Sequence, residues 1–209
     1  MTTVYLVRHG ATEWNIDKRA QGMADIPLTQ KGKEEAQIAR EQLGNVPIDA
    51  VYSSDLSRAF ETARPIAASH GLEVQADRRF REIDQGEWTG LSVDEIRERW
   101  PGMWGPARHY STRPGGESPQ DVRKRALEGL RAVVEAHPDG DVVIVSHGGT
   151  IRWISAEALG YDDHASAKIR GLGNGGIVSI EVRVNDGDLK LVNLTRLDGN
   201  TPDLDDPND

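Results

Sequence analysis

Two imidazoles stand where apolar runs of this chain stop. Val4-Tyr5-Leu6-Val7 leads into Arg8-His9-Gly10, and Val142-Val143-Ile144-Val145 leads into Ser146-His147-Gly148. Each reads as a buried strand that ends at a histidine followed by a glycine. Parallel strands of an open sheet present ligands at their carboxyl ends, so two rings far apart in the chain have a route into one pocket. Arg8 places a cation beside His9, and Thr12, Asn15, Gln21 and Gly22 follow with further donors, the inventory of an anion site. Arg58 falls in the first turn of a helix, where the dipole already favours negative charge and a guanidinium adds a planar fork for phosphate oxygens. Glu82, in Arg81-Glu82-Ile83, carries a carboxyl able to donate a proton. Gly148 follows the second histidine and leaves room for close backbone approach. Taken singly, each has a plainer reading: a structural loop for Arg-His-Gly, a solvent-exposed Arg58, a Glu82 paired with Arg79 or Arg81.

The elements that must position these residues alternate. Strands are expected at 3–8, 49–52, 73–75, 141–146, 177–184 and 189–195, the last two joined by a hairpin at Asn185-Asp186-Gly187-Asp188. One helix is capped by Thr29, carries Ala36, Ala39 and Leu43, and closes at Gly44. A second, capped by Ser53-Ser54-Asp55, carries Ala59, Ala63, Ile66 and Ala67. Ser92-Val93-Asp94-Glu95 is a capping box for a short helix. Ser118-Pro119 opens a long helix with Val122, Ala126, Leu130, Val133 and Val134 on its core face. A last helix covers about Thr150 to Leu159. Gly10 to Pro27 reads as irregular, and Pro101 to Gly116 as an insertion or lid loop. Such alternation predicts an α/β fold with a mostly parallel sheet.

Composition narrows the function classes. The chain has 209 residues, is 37% hydrophobic and 28% charged, and has no cysteine, which removes disulfides, thiolate metal sites and a cysteine nucleophile. A net charge of −9 argues against nucleic-acid binding. Five of those charges lie in 198–209, an acidic stretch expected to be a disordered tail, which leaves −4 on the body. No signal peptide and no membrane span are visible, so the expected location is the cytoplasm. His70, His109, His137 and His164 read as surface residues, with His109, inside the lid, the least secure of them. The tryptophans read as structural anchors, although Trp104 is also placed to line a cleft.

Together the segments Leu6-Val7-Arg8-His9-Gly10, Ser53-Ser54-Asp55-Leu56-Ser57-Arg58-Ala59, Arg81-Glu82-Ile83 with Gly86, Gly115-Gly116-Glu117-Ser118 and Ser146-His147-Gly148 resemble the histidine phosphatase superfamily over about residues 3–195. The resemblance implies a phosphoglycerate mutase-like α/β three-layer sandwich, a mostly parallel central sheet with helices on both faces. It implies a single domain over 1–197 with a short insertion or lid near 92–118. It also implies roles. His9 is the nucleophile, Arg8, Arg58 and His147 clamp the phosphate, and Glu82 protonates the leaving oxygen and then activates water. Asn15, Gln21, Gly22, Gly148 and Thr12 bind substrate. No metal and no cofactor are expected, because protein cations carry the charge stabilisation. Arg8 and Arg58 keep His9 neutral, and a bound phosphate dianion favours protonated Glu82. The expected activity is hydrolysis of a small phosphorylated metabolite, with a homodimer possible. A phosphoglycerate mutase is the first alternative, disfavoured because the 101–117 stretch is short and lacks a run of cations. A non-catalytic phospho-ligand binding protein is the second.

Overall fold

The computed structural model describes residues 1–185 and 188–197. The turn residues Asp186 and Gly187, and the expected acidic tail 198–209, lie outside the described residues. Six strands, β1 (Thr2–Arg8), β2 (Ala50–Ser53), β3 (Val74–Ala76), β4 (Asp141–Ser146), β5 (Ile177–Asn185) and β6 (Asp188–Arg196), form one sheet in the order β3-β2-β4-β1-β5-β6. Strands β3, β2, β4 and β1 pair in parallel, and β5 alone runs against the rest. The helices are α1 (Glu13–Ile16), α2 (Gln30–Leu43), α3 (Ser57–Ser69), α4 (Val93–Arg99), α5 (Pro119–Ala136) and α6 (Gly148–Ala158).

The period-two alternation of strand side chains sorts the core into two layers. Val4, Leu6, Val142 and Ile144 face α5 and α6, where Leu130, Val133, Ile151 and Ile154 meet them. Val7, Val143 and Val145 face α2 and α3, where Ala39, Leu43, Ala63 and Ile66 meet them. Strands β1 and β4 are buried on both faces, which is why their sequences are unbroken aliphatic runs. The three-layer architecture is therefore written in the apolar pattern.

Most helix boundaries follow their expected caps. Thr29 accepts from the Gly32 amide, and the Ser92/Glu95 and Ser118/Asp121 boxes are both formed. One cap is corrected. Helix α3 begins after Leu56 with no side-chain cap, because the polar residues before it are engaged elsewhere. Ser53 Oγ donates to the Ser54 carbonyl, Ser54 Oγ turns to His147, and Asp55 pairs with Arg81 at 2.6 Å. The stretch expected to be irregular after Gly10 also holds the four-residue α1, held by a capping box between Thr12 and Asn15. A single turn shows no periodicity, so only its cap residues could have announced it.

The sheet register sets the two imidazoles side by side. Arg8 pairs with Ser146, and the His9 amide donates to the Ser146 carbonyl at 3.0 Å. The loop after β1 is then fastened to α2 and α3. Ala11 donates to Glu35 at 2.7 Å, and Gly10 donates to the Thr62 hydroxyl at 3.0 Å. Gly10 is closely approached by the backbone of α2. A Cβ on Gly10 would lie 2.2 Å from the Gly32 carbonyl, and one on Gly32 would lie 2.2 Å from the Ala11 carbonyl.

Gly32→Ala should therefore destabilise the protein by about 3 kcal/mol or more, at the upper end of overpacking effects, because backbone must move. Gly71→Ala, at a φ of +68° with nothing within 4 Å, should lose only about 1–2 kcal/mol from the left-handed backbone. Urea unfolding of the two variants checks the contrast, and equal midpoints would contradict it.

Candidate active site

The His9 and His147 rings lie with centroids 5.1 Å apart and are 3% and 0% exposed. His9 Nδ1 is 2.7 Å from the Gly10 carbonyl. A carbonyl only accepts, so Nδ1 carries the proton and the lone pair sits on Nε2. Burial first, then the Arg58 and Arg8 guanidiniums, hold this imidazole well below its ordinary range. Burial and Arg58 do the same to His147. His147 Nε2 meets Ser54 Oγ at 2.9 Å, and Ser54 Oγ also accepts from the Leu56 amide at 3.3 Å. The Ser54 hydroxyl proton has no other acceptor among the described residues, so it is directed to Nε2, which leaves the ring proton on His147 Nδ1. That atom is buried without a hydrogen-bond partner among the described residues.

The cations converge from separate elements. Arg8 leaves the end of β1 and donates to the Leu172 carbonyl. Arg58, fully buried in the first turn of α3, donates to the Gly22 and Ala24 carbonyls, each at 2.7 Å. Its fork therefore also ties the loop of Gln21 and Gly22 to α3. Burial lowers its pKa to about 10, so it stays charged at neutral pH.

Glu82 is half-buried and is not paired with its neighbours. Arg81 pairs with Asp55 and Arg79 with Asp77. The Glu82 carboxylate accepts from Ile83 at 2.9 Å and from Gly149, at the start of α6, at 3.1 Å. Its backbone is held by Arg125 of α5, which donates to the carbonyls of Arg79, Arg81 and Glu82 and grips Glu117 at 3.0 Å. Arg125 and Glu117 thus position the segment that carries Glu82. Sequence reading noted Glu117 only within Gly115-Gly116-Glu117-Ser118 and passed over Arg125.

These groups border a cleft of about 500 Å³ that reaches Arg8, His9, Asn15, Gln21, Gly22, Arg58, Glu82 and Gly148. Two expected site residues sit differently. Thr12 is fully buried and caps α1, its hydroxyl bonded to Asn15 and Gln21 at 3.0 Å each, so it holds two lining residues and does not line the cleft itself. His147 packs against the His9 ring and is not among the residues that line the cleft. Asn174, which no motif announced, lines the cleft and donates to the His9 carbonyl at 3.0 Å.

The 92–118 segment, expected to be an insertion or lid, also departs from expectation. His109 is no surface residue: it lines a chamber beside the cleft, and burial with Arg152, Arg108 and Arg113 lowers its pKa to about 3. Trp104 lines both spaces and packs on the buried Trp88 at 5.7 Å. Among the described residues no cluster of His, Asp and Glu side chains is arranged to hold a metal ion. No described helix is long and apolar enough to cross a membrane.

The buried rings generate a pH dependence. In the unfolded chain an imidazole titrates near 6.5, whereas His9 and His147 resist protonation in the fold. The unfolded state therefore binds more protons below that pH, and stability falls as pH drops through it. Unfolding midpoints should be flat from pH 8 to 7 and fall from 6.5 to 5, by up to about 1.4 kcal/mol per pH unit for each ring. A midpoint that rises toward pH 5 would contradict this reading.

The chain matches the family model "Histidine phosphatase superfamily (branch 1)" over residues 4–195. It is 37% identical over 165 residues to phosphoserine phosphatase 1 of Hydrogenobacter thermophilus, covering 78% of each chain. It is 35% identical over 174 residues to a probable phosphoglycerate mutase of Salmonella choleraesuis, covering 81% of this chain and 80% of that one. Among solved structures it resembles a mycobacterial glucosyl-3-phosphoglycerate phosphatase complexed with VO3, with a TM-score of 0.84, 32% identity, and coverage of 92% and 96%. The chain, with its paired imidazoles flanked by arginines, belongs to the histidine phosphatase superfamily, branch 1.

Proposed function

We propose that the protein is a phosphomonoester phosphatase that works through a phosphohistidine on His9. The observation that carries this reading is the His9 ring itself. It is neutral, with Nδ1 held by the Gly10 carbonyl and Nε2 left as the nucleophile, beside the cations Arg8 and Arg58. Its phosphatase relatives support the activity. In the first step the Nε2 lone pair forms a P–N bond while the ester P–O bond breaks. The Glu82 carboxyl gives its proton to the leaving oxygen, which departs as the alcohol. In the second step water attacks phosphorus, Glu82 takes the water proton, the P–N bond breaks and inorganic phosphate leaves. Arg8 and Arg58 stabilise charge on the phosphoryl oxygens, while His147, expected to join them, packs on the His9 ring and does not border the cleft. Asn15, Gln21, Gly22 and Gly148 line the space around them. In this reading the guanidiniums supply the positive charge, and no metal takes part. Residues 1–197 act as one catalytic domain with 92–118 as its lid, in the cytoplasm and without nucleic acid; the homodimer rests on the family resemblance alone.

The mutase name of the Salmonella relative favours a second reading in which the phosphohistidine returns its group to a phosphoglycerate. Incubation with 3-phosphoglycerate, with and without 2,3-bisphosphoglycerate, separates the two. Release of inorganic phosphate supports the phosphatase, and isomerisation without release supports the mutase.

His9→Ala should abolish turnover and acid-labile phosphate labelling of the chain, while EDTA leaves the unmodified enzyme's rate unchanged. Labelling that survives in His9→Ala would place the nucleophile elsewhere. Glu82→Gln should slow alkyl phosphates roughly 100- to 1,000-fold and para-nitrophenyl phosphate far less, because only the poor leaving group needs its proton. Equal losses on both esters would remove Glu82 from the acid role.

A further inference from the structure

The His9 ring is held by one peptide group, and a charge holds that group in turn. The Gly10 carbonyl, 2.7 Å from His9 Nδ1, and the Ala11 amide belong to the same peptide unit. That amide donates to Glu35 Oε2 at 2.7 Å. The unit is trans, so its C=O and N–H point in opposite directions, with the imidazole at one end of the dipole and the carboxylate at the other. Glu35 comes from the second turn of α2, and its side chain is 17% exposed. Its other oxygen lies 3.8 Å from Lys31 Nζ, one turn back on the same helix. A Cβ on Gly175 would lie 2.9 Å from the Glu35 Cβ, so the turn after Asn174 packs directly on this side chain. Glu35 is not among the residues that line the cleft. The peptide before it, His9–Gly10, has neutral partners: its amide meets the Thr62 hydroxyl, and its carbonyl accepts from Asn174. Burial, Arg58 and Arg8 oppose a positive His9 ring, and the bond to the Gly10 carbonyl works the other way.

We propose that Glu35 is a positioning residue that acts on His9 through the Gly10–Ala11 peptide. Its carboxylate polarises that peptide, so the Gly10 carbonyl accepts more strongly from the ring Nδ1–H. The proposal rests on His9 being the nucleophile and adds a source of the ring's orientation and charge stabilisation. When Nε2 forms the P–N bond, the ring keeps its Nδ1 proton and becomes positive. No proton moves to the carbonyl or to Glu35. The carboxylate lies within about 8 Å of Nδ1, two hydrogen bonds and one peptide width away. Across that distance in a partly buried site, a unit charge shifts an equilibrium roughly tenfold or more. Glu35 therefore favours the phosphohistidine over the free ring. It speeds formation of the P–N bond and slows its breakdown.

Glu35→Gln tests this, because it keeps the shape and an oxygen for the Ala11 amide and removes only the charge. Glu35→Asp keeps the charge with a shorter reach. With enzyme in excess over para-nitrophenyl phosphate, rapid quenching reads nitrophenol release as formation of the phosphohistidine and phosphate release as its breakdown. Glu35→Gln should lower the ratio of the two rates roughly tenfold, with formation slowed and breakdown not slowed. Glu35→Asp should retain more of the ratio than Glu35→Gln. In the resting protein, proton NMR should show the His9 Nδ1–H resonance, identified by its loss in His9→Ala, moving upfield in Glu35→Gln as its hydrogen bond weakens. A ratio unchanged in Glu35→Gln, both steps slowed alike, or Glu35→Asp falling below Glu35→Gln would each overturn the proposal. Phosphate labelling of the chain in His9→Ala reports separately. If that labelling is lost and the ratio is unchanged in Glu35→Gln, Glu35 is removed and the phosphatase reading stands. If labelling survives, the nucleophile lies elsewhere, and the Nδ1–H resonance alone decides the contact: a shift supports it and a fixed resonance overturns it.

Discussion

The structure depends on one register: β1 and β4, remote in the chain, lie side by side in parallel with Arg8 opposite Ser146. A slip of one residue would turn every side chain of β1 to the other face and strand Val4 and Leu6 against the wrong layer. The register is therefore enforced by the whole apolar core. Its consequence at the strand ends is that His9 and His147 are brought ring to ring without either being held by a dedicated loop. The backbone contact between Gly10 and Gly32, and the bonds from Glu35 and Thr62, then fix the direction in which the chain leaves β1.

Electrostatics follow from that placement. Burying two imidazoles beside two guanidiniums leaves the rings uncharged and the arginines charged, because an arginine pKa lowered to about 10 still lies far above neutrality. Neutral imidazoles and charged guanidiniums thus coexist at one pH. The carboxylate is kept apart from the cations beside it in sequence, since Asp55 and Asp77 occupy Arg81 and Arg79. Glu82 is turned instead to the amino end of α6, and the Arg125–Glu117 pair holds its backbone. The resulting cleft gathers Arg8 and Arg58 around the His9 ring, with the Glu82 carboxylate at its edge.

The 92–118 segment extends the same logic outward. Its tryptophans pack on one another, with Trp100 and Trp104 against Trp88 at 6.3 and 5.7 Å, and this packing gives Arg108 and Arg113 fixed aromatic platforms. A segment without regular strands can therefore present oriented charge.

Local sequence determined the strands, most caps and the identity of the groups at the strand ends. Apolar periodicity and capping side chains act over a few residues, so Thr29, Ser92 and Ser118 announce their helices by themselves. The family motifs added His9, Glu82, Arg58 and His147. Tertiary structure alone decided what those groups touch: Ser54 diverted from a helix cap to His147, Thr12 spent on α1 and its neighbours, Asn174 and Arg125 recruited from distant loops and helices, and His109 drawn from the surface into a chamber. The physical reason is range. Secondary structure is specified by neighbours in the chain, whereas hydrogen-bond partners, burial and the charge felt by an imidazole are set by groups that only the closed sheet brings within a few ångströms.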